Sequence, residues 1–393
     1  MHRIIIIFML LLAGVPCGLI AQEVRGVWLT TNAGLDWPDK NATVEECKKK
    51  LVDMLDRLEK AHFNLVLFQV QANGDVAWDS KIQPAMEQFT GNGARRLDYD
   101  VCRFVIDECH KRGMKCHAWV VPYRLGTEAA ASKYRNNHVG HAIYRHRDMC
   151  VKYRGAYYFD PGLPSVRKYL VKLYKELLEK YDFDGINLDY TRYPGDDFPD
   201  GASFRRHNSH KLDKNDWRRD NINRFVAELY KAVKKIDRNI AVGSAPIGTY
   251  KNVKGYKNTT AYGSFQQDPG EWIASRHHDL VIPQMYWGED FGFSTHLSTW
   301  VDVADGQSLI VGLAPYKMVE GKWTASDVIQ LMNKAVKAKG VDGVCFFRAA
   351  HILGNDRHVK ELYNYLVDNP PSPAVKKVSR KEKPIESVEK FLE

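Results

Sequence analysis

The stretch "FDGINLDYTRYP", residues 183–194, ends an apolar run with a carboxylate and follows it with a cation and aromatic rings. Burying an unpaired carboxylate is costly, so a strand that ends in Asp189 needs either a partner or a chemical use for it. A plain ion pair with Arg192 is the structural alternative. Arg192 would lower the pKa of Asp189 and suit a nucleophile, whereas crowding by Tyr190 and Tyr193 would raise it and suit a proton donor. Both roles remain open, and we predict that Asp189 is a catalytic carboxylate.

If Asp189 acts on a glycosidic bond, a second carboxylate is normally required. Hydrolysis of a glycosidic bond normally uses two carboxyl groups, and their separation decides whether the anomeric configuration is retained or inverted. Glu289 follows a later apolar run and is our predicted catalytic partner of Asp189. Carboxylates in loops are most often only solvated, so each candidate has to be tested by mutation. The further acidic candidates are Asp75, Asp160, Asp290 and Glu320.

Aromatic, amide and arginine side chains recur at or just after the apolar runs. Aromatic faces stack on the C–H faces of sugar rings and planar polar groups bridge adjacent hydroxyls, so this mixture is typical of a saccharide cleft. The alternative for any single aromatic is packing in the protein interior. The predicted substrate-binding residues are Gln69, Asp75, Trp78, His117, Trp119, Tyr123, Asn187, Arg192, Tyr193, Gln284, Tyr286, Trp287 and Arg348.

Eight short apolar runs alternate with segments of helical period. Most of the runs are typical of strands buried on both faces, which is the signature of a parallel sheet. The runs begin at Arg25, Asn64, Lys115, Gly185, Ile240, Leu280, Leu309 and Gly343. The helical segments cover residues 43–61, 98–112, 165–181, 216–236, 324–339 and 357–367, with shorter ones at 271–275 and 295–303. This order predicts an α/β fold, a (β/α)8 TIM-type barrel over residues 22–369 with long loops at the C-terminal face of the strands.

A barrel would gather the polar residues into one site, because barrel enzymes take their reacting groups from the C-terminal ends of strands. A doubly wound open sheet is the alternative fold. It is disfavoured because no GxGxxG follows the first run and no P-loop occurs in the sequence.

The two ends of the chain differ from its middle. Residues 1–21 combine a basic start, an apolar run and small residues up to Ala21, which predicts a secretory signal peptide and export to the periplasm or cell envelope. Pro16 before Cys17 fits a lipid-attachment site poorly, so we expect cleavage near Ala21 without a lipid anchor. No later run is long and apolar enough to span a bilayer. Residues 370–393 are basic with several prolines, which indicates a flexible tail.

Composition argues against several other classes of function. The net charge of +9 comes from 57 Lys plus Arg against 48 Asp plus Glu, dispersed along the chain, so it does not indicate nucleic-acid binding. No CxxC pair occurs, and most cysteines are expected to be buried small side chains. His138, His141 and His146 lie in the long insertion after the third run without a third ligand at a diagnostic spacing, so we predict neither a metal nor a cofactor.

Several motifs occur in a specific order, namely "EVRGVWLTT", "NLVLFQVQANGDVAWDSKIQP", "HAWVVPYRLG", "YYFDPGLPSVRKYL", "FDGINLDYTRYP", "DLVIPQMYW" and "GVCFFRAA". In this order the chain resembles the glycosyl-hydrolase-like family 10 proteins over residues 23–367. The resemblance implies an exported barrel of the bacterial envelope that cleaves peptidoglycan glycan strands or a related amino-sugar polysaccharide, with Asp189 as its prime catalytic residue. Family motifs also include Asn187, Arg192, Gln284, Tyr286 and Asp160.

Comparison with the chitinase-like barrels sharpens the question of the second carboxylate. Their signature DGxDxDxE aligns with "DGINLDYT", so that Asn187 replaces an aspartate and Thr191 stands in place of the catalytic glutamate. The substrate-assisted chemistry of those enzymes would therefore lack its acid here. A glycoside hydrolase is the leading hypothesis. A non-catalytic glycan-binding barrel and a metal-dependent deacetylase are the alternatives.

Overall fold

The computed structural model describes residues 23–90 and 97–373. The signal peptide predicted over residues 1–21 lies outside these ranges, as does the tail from residue 374. In the described part of the chain, no helix has the length and apolarity that a membrane span requires.

The described residues form eleven strands: β1 (Val24–Leu29), β2 (Leu65–Gln71), β3 (Lys115–Val120), β4 (Arg124–Gly126), β5 (Cys150–Tyr153), β6 (Ala156–Phe159), β7 (Gly185–Asp189), β8 (Ala241–Ala245), β9 (Leu280–Val281), β10 (Ser308–Leu313) and β11 (Gly343–Phe346). Eight of them pair in the order β1-β2-β3-β7-β8-β9-β10-β11, and β11 closes the barrel against β1. Every pair in the barrel is parallel. The predicted (β/α)8 barrel is therefore confirmed.

The insertion after β3 carries its own structure. Strands β4, β6 and β5 form a small antiparallel sheet there, where the sequence indicated only a long insertion. Antiparallel strands need only tight turns to join them, so a short segment can form such a sheet without a crossover helix.

Fourteen helices occur among the described residues: α1 (Val44–Lys60), α2 (Val101–Lys111), α3 (Glu128–Ser132), α4 (Ala142–Arg145), α5 (Pro164–Lys180), α6 (Gly201–His207), α7 (Lys214–Ile236), α8 (Ala261–Ser264), α9 (Pro269–Ala274), α10 (Phe293–Ala304), α11 (Tyr316–Val319), α12 (Ala325–Lys337), α13 (Ala350–Leu353) and α14 (Arg357–Asp368). A capping box between Thr43 and Glu46 starts α1, and its buried face includes Leu51, Leu55 and Leu58. The long helices thus cover the outside of the barrel with amphipathic faces.

Inward side chains fill the barrel. Trp28, Leu67, Ile282 and Ile310 form part of a compact apolar cluster inside it, as the layered packing of such barrels requires. His117 pairs in register with Gly185, the first residue of β7, and so lies at the opposite end of that strand from Asp189. Burial lowers the pKa of His117 to about 4, which keeps the ring neutral.

Candidate active site

A cleft of about 450 Å³ opens where the predicted catalytic strand ends. Its floor and walls come from the ends of β3, β7, β9, β10 and β11 and the loops after them, which is where barrel enzymes place their reacting groups. The lining residues are Trp119, Asp189, Tyr190, Gln284, Tyr286, Tyr316, Val319, Glu320, Phe347 and His351. A shallow groove of about 530 Å³ also lies between α5 and α7 on the outer wall, lined by no strand-end residue.

Asp189 is buried at the floor of this cleft, with 3% of its surface exposed. Its Oδ1 accepts hydrogen bonds from the backbone N–H of Tyr190 at 2.8 Å and from Gln284 Nε2 at 3.0 Å, and its Oδ2 accepts one from Trp119 Nε1 at 3.1 Å. Burial raises the pKa of Asp189 to about 6, although the charge of Arg192 and these three donors oppose the rise. Of the two roles left open by the sequence, this environment favours the proton donor.

Gln284 is oriented by two acceptors. Its Nε2 donates to Asp189 and also to the backbone carbonyl of Ala245 at 3.1 Å, so both amide hydrogens are used inside the protein. The amide oxygen is left to accept a hydrogen bond in the cleft.

Arg192 does not form an ion pair with Asp189. Its guanidinium instead lies between two rings, 4.6 Å from the centre of Tyr190 and 4.7 Å from that of Phe265. Tyr190 has a left-handed backbone with φ of 49°, an unusual conformation for a residue with a side chain. Half of Tyr190 is exposed, so its ring offers a flat face in the cleft.

A cluster of aromatic rings builds the opposite wall. The ring of Phe347 lies 5.8 Å from Tyr286, 6.3 Å from Trp119 and 6.4 Å from Tyr316, centre to centre. The hydroxyl of Tyr286 is buried and has no hydrogen-bond partner among the described residues. A buried hydroxyl of this kind is costly unless it bonds water or a ligand, and other atoms of Tyr286 line the cleft.

Two of the candidates for a second carboxylate, Glu289 and Glu320, occupy different places. Glu289 lies in a short 3-10 turn, where Lys334 of α12 pairs with it and Ser294 Oγ donates to it at 2.6 Å. Burial alone would raise the pKa of Glu289, but its hydrogen bonds with Lys334 and Ser294 lower it. The side chain of Glu289 does not line the cleft. Glu320 does line the cleft. The predicted pairing of Asp189 with Glu289 thus stays a prediction, and the cleft itself offers Glu320.

Several predicted substrate-binding residues are engaged inside the fold instead. Gln69 accepts hydrogen bonds from Thr30 Oγ1 at 2.6 Å and from the next two backbone N–H groups at 3.0 and 2.9 Å, which fixes the loop after β1. Trp78 is fully buried and donates to Glu176 at 3.0 Å. Asp75 accepts from the hydroxyl of Tyr134 at 2.6 Å.

Other predicted contacts also lie outside the cleft lining. Tyr123 packs against Phe225, Tyr193 against Phe198, and Trp287 against His296. Arg348 binds Asp36 and the carbonyl of Leu35, which ties the loop after β11 to the loop after β1. Asn187 and His117 are enclosed in the barrel. Direct contact with a substrate stays a prediction for all of these residues.

The cleft also contains residues that the sequence did not single out. They are Tyr316, Val319, Phe347 and His351. Phe347 stands two residues after Cys345, which belongs to the apolar cluster inside the barrel, so the alternation of a strand could have indicated an inward ring there. Val319 ends the four-residue helix α11 and Glu320 follows it, and no sequence pattern indicates the path of this helix.

One histidine of the β3 insertion has a structural role. His141 begins α4, where its Nδ1 accepts from the N–H of Ile143, and its Nε2 bonds the carbonyl of Asn73 at 2.9 Å. Within residues 23–90 and 97–373, no group of three His, Cys, Asp or Glu residues is arranged to hold a metal ion.

Comparison with known proteins gives results in line with the fold. Residues 23–318 match the family model described as "Glycosyl hydrolase-like 10". The chain is 27% identical to "Glycosyl hydrolase DigH" of Escherichia coli (strain K12) over 383 residues, which covers 88% of this chain and 87% of that protein. It is 29% identical to "Glycosyl hydrolase YngK" of Bacillus subtilis (strain 168) over 316 residues, covering 76% of this chain and 61% of that one. Among solved structures, the PgaB (BpsB) glycoside hydrolase domain from Bordetella bronchiseptica superposes with a TM-score of 0.60 at 13% identity, covering 88% of this chain and 99% of that domain; at that identity the likeness concerns the fold alone.

Proposed function

The chain belongs to the glycosyl hydrolase-like 10 family, and on that premise we propose that it is a glycoside hydrolase of a cell-envelope polysaccharide. The single observation that carries the proposal is the buried carboxyl of Asp189, held by three donors at the floor of a cleft walled by aromatic rings. The names of the similar proteins support the reaction class. Peptidoglycan glycan strands, or a related amino-sugar polymer, are the proposed substrate.

The proposed mechanism uses Asp189 as the general acid. A carboxyl group with a pKa near 6 holds its proton in mildly acidic solution and can transfer it to the glycosidic oxygen as the C1–O bond breaks. The carboxylate that remains is then stabilised by the hydrogen bonds from Trp119 and Gln284. Tyr190 and Tyr286, which both line the cleft, provide aromatic rings to hold the sugar next to the acid.

Export is part of the same proposal. It is supported by the N-terminal sequence over residues 1–21 and by a substrate that lies outside the cytoplasm. Mass spectrometry of the mature protein from a fractionated host would test it, with Gln22 as the expected first residue.

Analysis of reaction products tests the activity and the substrate together. Purified protein is incubated with peptidoglycan that carries its peptides and with peptidoglycan stripped of them, and released fragments are identified by mass spectrometry. We expect new reducing ends from the wild type, and about 10²–10⁴-fold less product from Asp189→Asn, in line with the loss of a general acid. Sedimentation with the polymer without any released fragment would instead indicate the non-catalytic glycan-binding barrel.

A further inference from the structure

The cleft contains one carboxylate besides Asp189 among the described residues, and it is Glu320. Glu320 follows α11 in the connection after β10, and β8 and β9 separate β10 from β7 in the barrel. The two carboxyl groups therefore enter the cleft from different sides. Glu320 also lies two residues beyond the segment that matches the family model, which ends at residue 318.

The loop that carries Glu320 is held by its own contacts. The backbone N–H groups of Lys322 and Trp323 both donate to the carbonyl of Lys317, at 3.0 and 3.2 Å. The ammonium group of Lys317 lies 4.5 Å from the centre of the Trp323 ring. Lys322 Nζ pairs with Glu320 Oε2 at 2.8 Å. The position of this carboxylate is thus set by its loop.

The environments of the two carboxyl groups are opposite. Asp189 is buried, whereas the side chain of Glu320 is 45% exposed and paired with a cation. A pair of carboxyl groups in one site divides into a proton donor and an anion when their surroundings differ in this way. His351, which also lines the cleft, does not compete for the proton, because burial lowers its pKa to about 4.

We propose that Glu320 is the second reacting carboxylate of the cleft and acts as the general base on the attacking water. This inference rests on the proposed glycosidase function. The side chain of Glu320 is 45% exposed, so solvent water can reach it, as a general base requires. In the step, the water oxygen bonds to C1 and gives one proton to Glu320, while the C1–O bond to the leaving sugar breaks and that oxygen takes the proton of Asp189. Exchange with solvent then restores both groups.

Glu320→Gln tests the proposal, with Glu179→Gln as the matched control. Glu179 is 54% exposed and pairs with Lys175 at 3.4 Å on α5, outside the cleft, so the control removes a similar ion pair. We expect Glu320→Gln to lower kcat about 10²–10³-fold with KM nearly unchanged, and Glu179→Gln to stay within about twofold of the wild type. Equal melting temperatures would show that Glu320→Gln folds.

Two further readouts separate a base from a structural role. Azide added to Glu320→Gln should restore turnover and yield a glycosyl azide, because the small anion needs no base. The pH profile of kcat should lose its acidic limb in this variant. The charged or titratable groups that face Glu320 are Lys322, Lys317, Tyr316 and His351. An acidic limb that persists, or azide without effect, would contradict the assignment.

The outcomes distinguish this inference from the proposed function. NMR of the wild-type reaction should show inversion at the anomeric carbon, and retention would overturn the assignment of Glu320 as a base. Full activity of Glu320→Gln beside an inactive Asp189→Asn would refute the role of Glu320 and leave the glycosidase intact. No product from the wild type would refute the glycosidase itself. Glu289→Gln in the same assay tests the pairing predicted from sequence.

Discussion

The ends of β2 and β7 carry similar polar residues and use them differently. Near the end of β2, Gln69 accepts three hydrogen bonds from a neighbouring loop, and after the strand Trp78 donates to Glu176, so these groups are satisfied inside the fold. At the end of β7, Asp189 is also bonded to three donors, yet it lines an open cleft and its burial is not offset. Polar side chains at a strand end thus hold a loop in one place and form a reaction site in another, and what tells the two apart is whether the side chain lines an open cleft.

The largest predicted effect concerns stability at the β7 end. Burial raises the pKa of Asp189 to about 6 from an ordinary value near 4. The protonated carboxyl group therefore makes its full contribution to the free energy of unfolding below pH 4, and this contribution is lost as the pH rises through 6. The loss should reach about 3 kcal/mol. Urea unfolding at pH 4 and pH 7.5 gives the free energy of unfolding of the wild type and of Asp189→Asn. The loss is measured as the change, between the two pH values, in the difference between the two proteins. An unchanged difference would show that the carboxyl group is not perturbed.

The same substitution at two tryptophans should separate scaffold from site. Trp78→Phe removes a buried hydrogen bond to Glu176 and should lower the free energy of unfolding by about 1–3 kcal/mol with kcat/KM unchanged. Trp119→Phe removes a donor to Asp189 and should lower kcat about 10-fold, since hydrogen bonds to charged groups contribute about 1.5–3 kcal/mol. Loss of turnover in Trp78→Phe would contradict the conclusion that the residues after β2 are structural and those at the end of β7 form the site.

The charge of Arg192 should appear in the pH profile. Burial sets the pKa of Asp189, and Arg192 acts against it, so Arg192→Gln should move the basic limb of kcat to higher pH by up to about one unit. Two other titratable groups feel the charge of Asp189: that charge, together with burial, raises the pKa of Tyr190, and burial, together with that charge, raises the pKa of Tyr286. A shift of the acidic limb instead would identify Asp189 as an ionised nucleophile.

The smallest predicted effect is on binding. Tyr190→Ala removes the exposed ring from the cleft and should raise KM about 3–10-fold with kcat retained, since an aromatic contact is worth about 0.5–1.5 kcal/mol. Phe291→Ala is the control, because Phe291 is a similarly exposed ring after β9 that does not line the cleft. Equal changes in the two variants would show that the ring of Tyr190 has no special part in binding.

The sequence predicted the barrel and part of the cleft for the same physical reason. Buried parallel strands are apolar along their length, so the runs and their polar last residues can be recognised without knowledge of distant contacts. Asp189, Trp119, Gln284 and Tyr286 were identified in this way, and all four line the cleft.

The rest depends on contacts between residues far apart in the chain. Glu289 is held by Lys334, and Trp78 by Glu176, and neither pairing leaves a local pattern in the sequence. Glu320 enters the cleft because a four-residue helix turns the chain there. The sequence could therefore suggest loop side chains as candidates for the site, but it could not decide which of them lies in the cleft.

The connection after β10 is a small unit with its own internal hydrogen bonds and a cation resting on a tryptophan ring. Connections of this kind tolerate exchange better than the strands that they join, although a replacement would have to keep the contacts of Tyr316 with Tyr286 and Phe347. If the position of its carboxylate sets the gap to Asp189, then stereochemistry would be a property of a replaceable loop. Proteins with this barrel could then diverge between inversion and retention by exchanging one short connection, and a designer could attempt the same graft.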